Sequence, residues 1–274
     1  MVDIRESSII GDGSRISVES LSYSYPQSGK KVFEDVDFTV AGGDVISLLG
    51  PNGTGKSTLL KCLAGVLKAD SGCVRLDGRA LGSLSHAERA VKMAYVPQTQ
   101  SSPFPYPVSE IVMMGRASHL GLFSSPSADD LRETEAAMER VGISDLADRP
   151  CTQISGGEWQ LVLIARAIAQ KSEILLLDEP TSHLDMGNQI RILEAINSLA
   201  CSGFTIIVAT HFPEHAFLTS NRAAVLKDGR LSQVEDPERI ISEKMMKKTY
   251  GIDVKILNHD ELGQRKIVVP MLGS

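Results

Sequence analysis

The 274-residue sequence lacks the features of membrane-spanning, disulfide-rich and nucleic-acid-binding chains. No window approaches about eighteen consecutive apolar residues, so we expect no segment that crosses a bilayer. The first residues have no apolar signal-peptide core. The cysteines form no C-x-x-C pair, and we expect reduced thiols in a cytosolic protein. The net charge of −6 disfavours nucleic acid as a partner, although an acidic total can contain a local basic patch.

A phosphate-binding loop is the most informative pattern that the sequence does contain. Residues 50–57, GPNGTGKS, fit G-x-x-x-x-G-K-[ST], and they lie between an apolar strand-like run and leucines at helical spacing. Glycines let backbone N–H groups approach phosphates, and the helix N-terminus favours anions. Lys56 can contact the β and γ oxygens, and the Ser57 hydroxyl can bind Mg²⁺. The predicted nucleotide-binding residues of this segment are Gly50, Asn52, Gly53, Gly55, Lys56, Ser57 and Thr58.

Polar residues follow other apolar runs at positions where ligand chemistry is expected. Asp178 and Glu179 end the run 174–177, and ligands of open α/β sheets bind at this carboxyl edge. Asp178 is predicted to hold Mg²⁺ and Glu179 to polarise the attacking water. Two solvated acids are the alternative, which the phosphate loop in the same chain argues against. His211 and Gln98 also follow strand-like runs. His211 is a candidate ligand of the γ-phosphate, and Gln98 is a candidate ligand of Mg²⁺ or of the attacking water. The alternative is that both are ordinary polar residues of the fold.

A second candidate anion site precedes the helix predicted at 160–170. Ser155, Gly156 and Gly157 lie at its start, where a serine and paired glycines can bind an anion. An ordinary capped helix start is the local alternative. The chain nevertheless has two candidate phosphate-binding helix N-termini but only one predicted set of catalytic residues. This indicates that one of the two helix N-termini serves the site of another subunit.

These motifs, in this order, resemble those of ATP-binding subunits of ATP-binding cassette (ABC) transporters. Residues 154–158, ISGGE, resemble the family signature LSGGQ, 182–185 resemble the D-loop, and His211 matches the switch histidine. Tyr25 lies where the family stacks an aromatic ring on adenine, with Tyr23 as a rival. The resemblance implies an α/β fold: a P-loop NTPase core with a mixed or parallel sheet, an antiparallel β subdomain and an inserted α-helical subdomain.

The resemblance also implies domain boundaries and residue roles. A flexible tail is expected at 1–14, an ABC ATPase domain at 15–255 with its helical subdomain at about 99–165, and a short extension at 256–274. ATP and Mg²⁺ are the implied cofactors, with Mg²⁺ held by Ser57, Gln98 and Asp178. The implied catalytic residues are Glu179, His211, Lys56 and Gln98. Ser155, Gly156 and Gly157 would complete the nucleotide site of a second copy, and Asp185 would link the two sites.

The implied partners are a second copy, integral membrane permease subunits and, indirectly, an extracytoplasmic substrate-binding protein, at the cytoplasmic face of the membrane. The middle region, including Gly115 and Arg116, resembles importers for iron–siderophore, haem and cobalamin. Residues 101–104 and 114–119 also resemble molybdate and tungstate importers, and a soluble non-transport ABC ATPase is a further alternative. Trp159, His183 and Phe212 depart from the commonest family pattern, which affects the expected rate and regulation rather than the reaction.

Overall fold

The computed structural model describes residues 14–26, 29–98, 104–121, 124–259 and 265–271. The tail expected at 1–14 and residues 101–103 of the molybdate-like segment lie outside it, apart from Ser14. Three sheets and the helices around them make up the described part. The strands are β1 Ser14–Ser24, β2 Lys31–Ala41, β3 Val45–Leu49, β4 Ser71–Leu76, β5 Arg79–Ala80, β6 Met93–Val96, β7 Ile174–Asp178, β8 Thr205–Thr210, β9 Arg222–Lys227, β10 Arg230–Leu231, β11 Val254–His259 and β12 Arg265–Pro270.

The helices lie on both faces of the largest sheet and between its strands in sequence. They are α1 Lys56–Leu63, α2 His86–Lys92, α3 Val108–Met113, α4 Ala128–Arg140, α5 Gly156–Ala169, α6 Met186–Cys201, α7 Pro213–Thr219, α8 Pro237–Ile240 and α9 Glu243–Tyr250. Short 3₁₀ segments occur at Leu81–Ser83, Met114–His119, Ser144–Leu146 and Cys151–Gln153. Among the described helices, none combines the length and apolarity needed to span a bilayer.

The central sheet has the strand order β10-β9-β3-β8-β7-β6, and only β10 runs antiparallel to its neighbour. Strands β3, β7 and β8 are buried at every position, because helices cover both faces of a parallel sheet. Their nearly continuous apolar sequences follow from this burial. The parallel register brings the carboxyl ends of β3, β6, β7 and β8 to one edge, as predicted.

A second sheet, with the order β2-β1-β4-β5, is antiparallel throughout. The Asp77-Gly78 pair turns the chain between β4 and β5, and Asp228-Gly229 does so between β9 and β10. All four residues have positive φ, from 47° to 76°, the conformation that Asp-Gly turns favour. Asp-Gly between two strand-like runs predicts a hairpin at each place, and both hairpins are confirmed. The predicted mixed core sheet and antiparallel β subdomain are also present.

A helical subdomain is inserted between β6 and β7, where α3, α4 and α5 pack on one another. The sequence 127–130 predicts a helix N-terminus, and α4 begins there, since Ser127 and Asp130 form a reciprocal capping box. Helical spacing also places Leu131, Thr134, Met138 and Val141 on one face. The last three are buried, but 52% of Leu131 is exposed, and Ala137 takes part in the buried face instead. Helix α5 starts at Gly156, four residues before the predicted start, because the glycines already belong to its first turn.

A buried ion pair connects the elements of this helical subdomain. Arg116 donates through Nε to Asp130 Oδ1 at 2.9 Å and through Nη1 to the carbonyl of Ala169 at 2.8 Å. Both charged side chains are buried. One arginine therefore joins the 3₁₀ turn after α3 to the start of α4 and the end of α5.

Helix α7 and the C-terminal hairpin β11–β12 pack together beside the carboxyl edge of the central sheet. His215, on α7, is partly buried, with Nδ1 at 3.2 Å from Thr181 Oγ1 and its ring 4.8 Å from that of Phe212. Burial, helped by the charge of His211, lowers the pKa of His215 to about 4. Strand β11 crosses the expected boundary at 255/256 between the ATPase domain and the C-terminal extension. The domain limits therefore stay predictions.

Replacement of Arg116 by alanine is expected to lower the free energy of unfolding by about 3 kcal/mol, because it leaves the buried Asp130 without its cation. Urea denaturation followed by circular dichroism measures the change. The control Arg132→Ala removes only the exposed Arg132–Asp129 pair and should change stability by less than about 0.5 kcal/mol. Similar small changes in both variants would contradict a structural role for the buried pair.

Stability is also expected to fall as the pH drops from about 6.5 to about 4, the interval between the ordinary pKa of His215 and its value in the fold. The unfolded chain takes up a proton on this histidine in that window, whereas the folded chain does not, so protonation favours unfolding. His215→Gln should make the pH dependence of the urea midpoint shallower there. The exposed-histidine control His119→Gln should leave it unchanged, and equal slopes in wild type and His215→Gln would refute the assignment.

Candidate functional site

The phosphate loop joins the end of β3 to the start of α1, as its sequence predicts. Gly50 has φ 150°, and a Cβ there would lie 2.3 Å from the carbonyl oxygen of Leu226. Gly55 has φ 104°, and its Cβ would lie 2.5 Å from Cγ1 of Val32. Side chains at these two positions would collide with the surrounding strands. The loop conformation therefore requires glycine at both.

Lys56 is buried in the loop. Its Nζ donates to the carbonyls of Gly50 at 2.8 Å and Pro51 at 3.0 Å and lies 3.3 Å from Glu179 Oε1. Burial lowers the pKa of Lys56, and the negative charge of Glu179 opposes that shift. The fold thus holds a cation between the phosphate loop and the end of β7.

Ser57 and Asp178 provide an oxygen pair suited to Mg²⁺. Ser57 Oγ donates to Asp178 Oδ1 at 2.8 Å, and the Tyr95 hydroxyl donates to Asp178 Oδ2 at 3.0 Å. Burial raises the pKa of Asp178, whereas these two hydrogen bonds lower it. Among the described residues, no three or more His, Cys, Asp or Glu side chains lie together as a candidate metal site.

Glu179 is the point at which the predicted catalytic residues meet. Its Oε2 accepts from Gln98 Nε2 at 3.0 Å and Ser182 Oγ at 2.8 Å, and lies 3.2 Å from His211 Nδ1. Only 7% of Glu179 is exposed, and its φ of 48° is unusual for a residue with a side chain. The structure therefore brings Lys56, Gln98, Glu179 and His211 into one cluster.

The electrostatics of this cluster keep the Glu179 carboxylate ionised. Burial raises its pKa, but the hydrogen bond from Ser182 and the positive charges of Lys56 and His211 outweigh burial, so the pKa lies below its usual value. An ionised carboxylate at the carboxyl edge of a sheet can orient a water molecule and accept its proton. The neighbouring cation can offset charge on a transferring phosphoryl group.

The two tyrosines that compete for adenine stacking differ in exposure. Tyr25 is 43% exposed, and its hydroxyl lies 3.0 Å from Thr58 Oγ1 beside the phosphate loop. Tyr23 is 5% exposed and packs edge-to-face on Tyr25 at 5.1 Å between ring centroids. The geometry favours Tyr25, since the ring of Tyr23 belongs to the core.

Residues 155–157 are not part of the Glu179 cluster. Ser155 Oγ accepts from the backbone N–H of Glu158 at 3.3 Å, and Glu158 Oε2 accepts from the backbone N–H of Ser155 at 2.7 Å. A Cβ on Gly157 would lie 2.3 Å from Asn188, a residue of the helix that Asp185 caps. No hydrogen bond or ion pair of the described residues therefore joins 155–157 to the Glu179 cluster within one chain.

Three residues near the site were not among the predicted site residues, although the D-loop segment contains Ser182 and Phe212 departs from the family pattern. Tyr95 donates a hydrogen bond to Asp178 and Ser182 donates one to Glu179, and the ring of Phe212 lies tilted by 39° against that of His211, with 4.0 Å between ring centroids. Tyr95 lies on β6, the strand next to β7, three residues before Gln98. Ser182 lies in the turn three residues after Glu179. Their spacing from predicted site residues was the available signal.

Known proteins are similar to this chain in sequence and in fold. A family model described as ABC transporter matches residues 33–182, more than half of the chain. An ABC transporter ATP-binding protein from Haemophilus influenzae is 38% identical over 89% of this chain and 92% of its own. The hemin import ATP-binding protein HmuV of Nocardia farcinica is 38% identical over 88% of this chain and 83% of its own, and the iron(3+)-hydroxamate import ATP-binding protein FhuC of Bacillus subtilis is 35% identical over 88% and 90%.

The fold comparison agrees with the sequence comparison. An inward-facing structure of a metal-chelate type ABC transporter superposes with a TM-score of 0.84 and 30% identity, covering 95% of this chain and 98% of its own. The ADP-bound ATP-binding cassette MJ1267 superposes with a TM-score of 0.77 at 23% identity, over 86% of this chain and 98% of its own, which shows a shared fold. The predicted fold class is confirmed, and the chain is an ATP-binding, ATP-hydrolysing member of the ABC transporter family.

Proposed function

We propose that the chain is the ATP-hydrolysing subunit that powers import of a metal chelate, of the iron–siderophore, haem or cobalamin type, through a separate membrane permease. The observation that carries this proposal is the similarity, over most of the chain, to ATP-binding proteins named for hemin and iron(3+)-hydroxamate import. The metal-chelate type transporter structure supports the same substrate class. The molybdate alternative has no comparable support among these relatives, and a soluble non-transport ATPase would not explain their import names.

In the proposed reaction, Tyr25 stacks on adenine and the backbone N–H groups of 50–57 bind the phosphates. Lys56 offsets charge on the β and γ oxygens. Glu179 orients a water molecule and accepts its proton as the water oxygen attacks the γ-phosphorus and the bond to the β-phosphate oxygen breaks. His211 donates a hydrogen bond to the γ-phosphoryl oxygens. Mg²⁺ bound by Ser57, Gln98 and Asp178 would supply further charge neutralisation.

The proposed active unit is a dimer of two copies. One chain contains one phosphate loop and one set of 155–157, and no hydrogen bond or ion pair of the described residues joins 155–157 to the Glu179 cluster, so each closed site would combine the loop of one copy with Ser155, Gly156 and Gly157 of the other. Asp185, which caps the helix that Gly157 approaches, would link the two sites. Import further implies permease subunits, an extracytoplasmic binding protein and a peripheral position at the cytoplasmic face of the membrane.

Glu179→Gln is expected to bind ATP and to lower kcat by about 10²–10⁴-fold, because the amide cannot accept the proton of the attacking water. A phosphate-release assay and an ATP-binding titration measure the two effects separately. The control Glu173→Gln changes an exposed glutamate just before the same strand and should retain wild-type turnover. Normal turnover by Glu179→Gln would refute its role as the base.

ATP is expected to convert Glu179→Gln from a 29.6 kDa monomer into a dimer, measured by sedimentation velocity. Adding Ser155→Ala should weaken this dimer by about tenfold or more, because it removes a hydroxyl from the γ-phosphate.

Ser127→Ala is the matched control for this effect. Ser127 caps α4 with the same reciprocal hydrogen bonds that Ser155 makes at α5, and losing either cap weakens its helix by about 1 kcal/mol. Equal dimerisation of the two double variants would argue against a site shared between copies.

A further inference from the structure

Two clefts outside the nucleotide site are large enough for a small molecule. One, of about 840 Å³, lies where the helical subdomain meets the amino ends of the strands. Its lysine and one arginine already pair with acids: Lys171 with Glu133, and Arg15 with Asp77 and Glu173. The other, of about 640 Å³, lies between the β9–β10 hairpin and helices α8 and α9. We call this second space the lysine cleft, after Lys227, Lys244 and Lys248 in its wall.

The lysine cleft carries an unbalanced positive charge. Four cations line it, the three lysines and Arg230, against the single acid Asp228. Arg230 pairs with Glu34 outside the cleft. Within the described ranges, none of the three lysines makes an ion pair, and Lys227 Nζ contacts only the backbone carbonyl of Lys248. In a chain with net charge −6, this concentration of unpaired amines is a local exception.

The remaining lining supplies an apolar floor and hydroxyl groups. The apolar lining residues are Val225, Leu231, Ile240 and Met245, and the hydroxyl residues are Ser232, Ser242 and Thr249. The cleft therefore offers several cationic donors, hydroxyl groups and apolar contact.

The lysine cleft is separate from the nucleotide site. None of the residues that line it belongs to the predicted nucleotide site. The two sites are nevertheless neighbours, because Tyr250, which follows Thr249 in α9, lies beside the backbone of Gly50 in the phosphate loop.

We propose that the lysine cleft binds a small phosphate-bearing ligand with at least two negative charges and an apolar portion. Ammonium groups arranged around a phosphate are a common mode of recognition, and a volume between about 300 and 1,000 Å³ is typical of small-molecule sites. The apolar floor gives the non-phosphate part of the ligand its contact. Such a site lies outside the ATPase reaction and outside the import function proposed above.

Labelling of the full-length protein with pyridoxal 5′-phosphate, followed by borohydride reduction and peptide mapping, tests the proposal. The probe's aldehyde reacts with amines beside a bound phosphate, so Lys227, Lys244 or Lys248 should be labelled about tenfold faster than Lys247 and Lys255. These controls lie on α9 and β11 outside the cleft, paired with Asp253 and Glu243. Tripolyphosphate should protect the cleft lysines. Even labelling of all five, or the same preference with pyridoxal lacking phosphate, would overturn the proposal.

A second experiment separates a free phosphate compound from a lipid headgroup. Lys244→Gln/Lys248→Gln is compared with Lys247→Gln/Lys255→Gln, which removes the same charge outside the cleft. If only the first variant loses protection by tripolyphosphate, and the wild type does not float with phosphatidylglycerol vesicles, the ligand is a free phosphate compound. If the wild type floats with the vesicles and only the first variant loses this flotation, the ligand is the lipid headgroup. If both variants behave alike in both assays, the lysine cleft is not a phosphate site.

Discussion

The buried carboxylate of Glu179 is the constraint on which the rest of the site depends. A carboxylate that is 7% exposed is stable only when cations and donors surround it, and here Lys56, Gln98, Ser182 and His211 do so. These partners come from the phosphate loop, the segment after β6, the turn after β7 and the segment after β8. The parallel sheet makes this possible because it places the carboxyl ends of those strands at one edge.

The same cluster underlies the proposal that one chain holds only part of each site. The side-chain partners of Glu179 lie at the carboxyl edge of the central sheet, whereas Ser155 caps a helix of the inserted subdomain and hydrogen-bonds to Glu158 and Trp159 in the first turn of that helix. The buried Arg116–Asp130 pair fixes the inner end of that subdomain. In the proposed dimer a second copy would supply the missing donors, which would couple nucleotide binding to dimer closure.

The sequence predicted those parts of the structure that depend on local pattern. The strands with continuous apolar runs, both Asp-Gly hairpins and the Ser127 cap are confirmed because turn chemistry and capping act over a few residues. Leu131 was misplaced because burial depends on which neighbours α4 meets, and Asp130 is drawn inward by Arg116. Tyr95 and Ser182 were missed because their contacts with Asp178 and Glu179 join strands and turns that only the folded sheet brings together.

The central claim is that two copies of the chain share each ATP site. The most direct measurement is a structure of the Glu179→Gln variant with Mg²⁺ and ATP. The account predicts that the γ-phosphate bound by Lys56 of one copy accepts hydrogen bonds from Ser155 and Gly157 of the other. A nucleotide held by the phosphate loop with residues 155–157 of every copy away from it would contradict the claim.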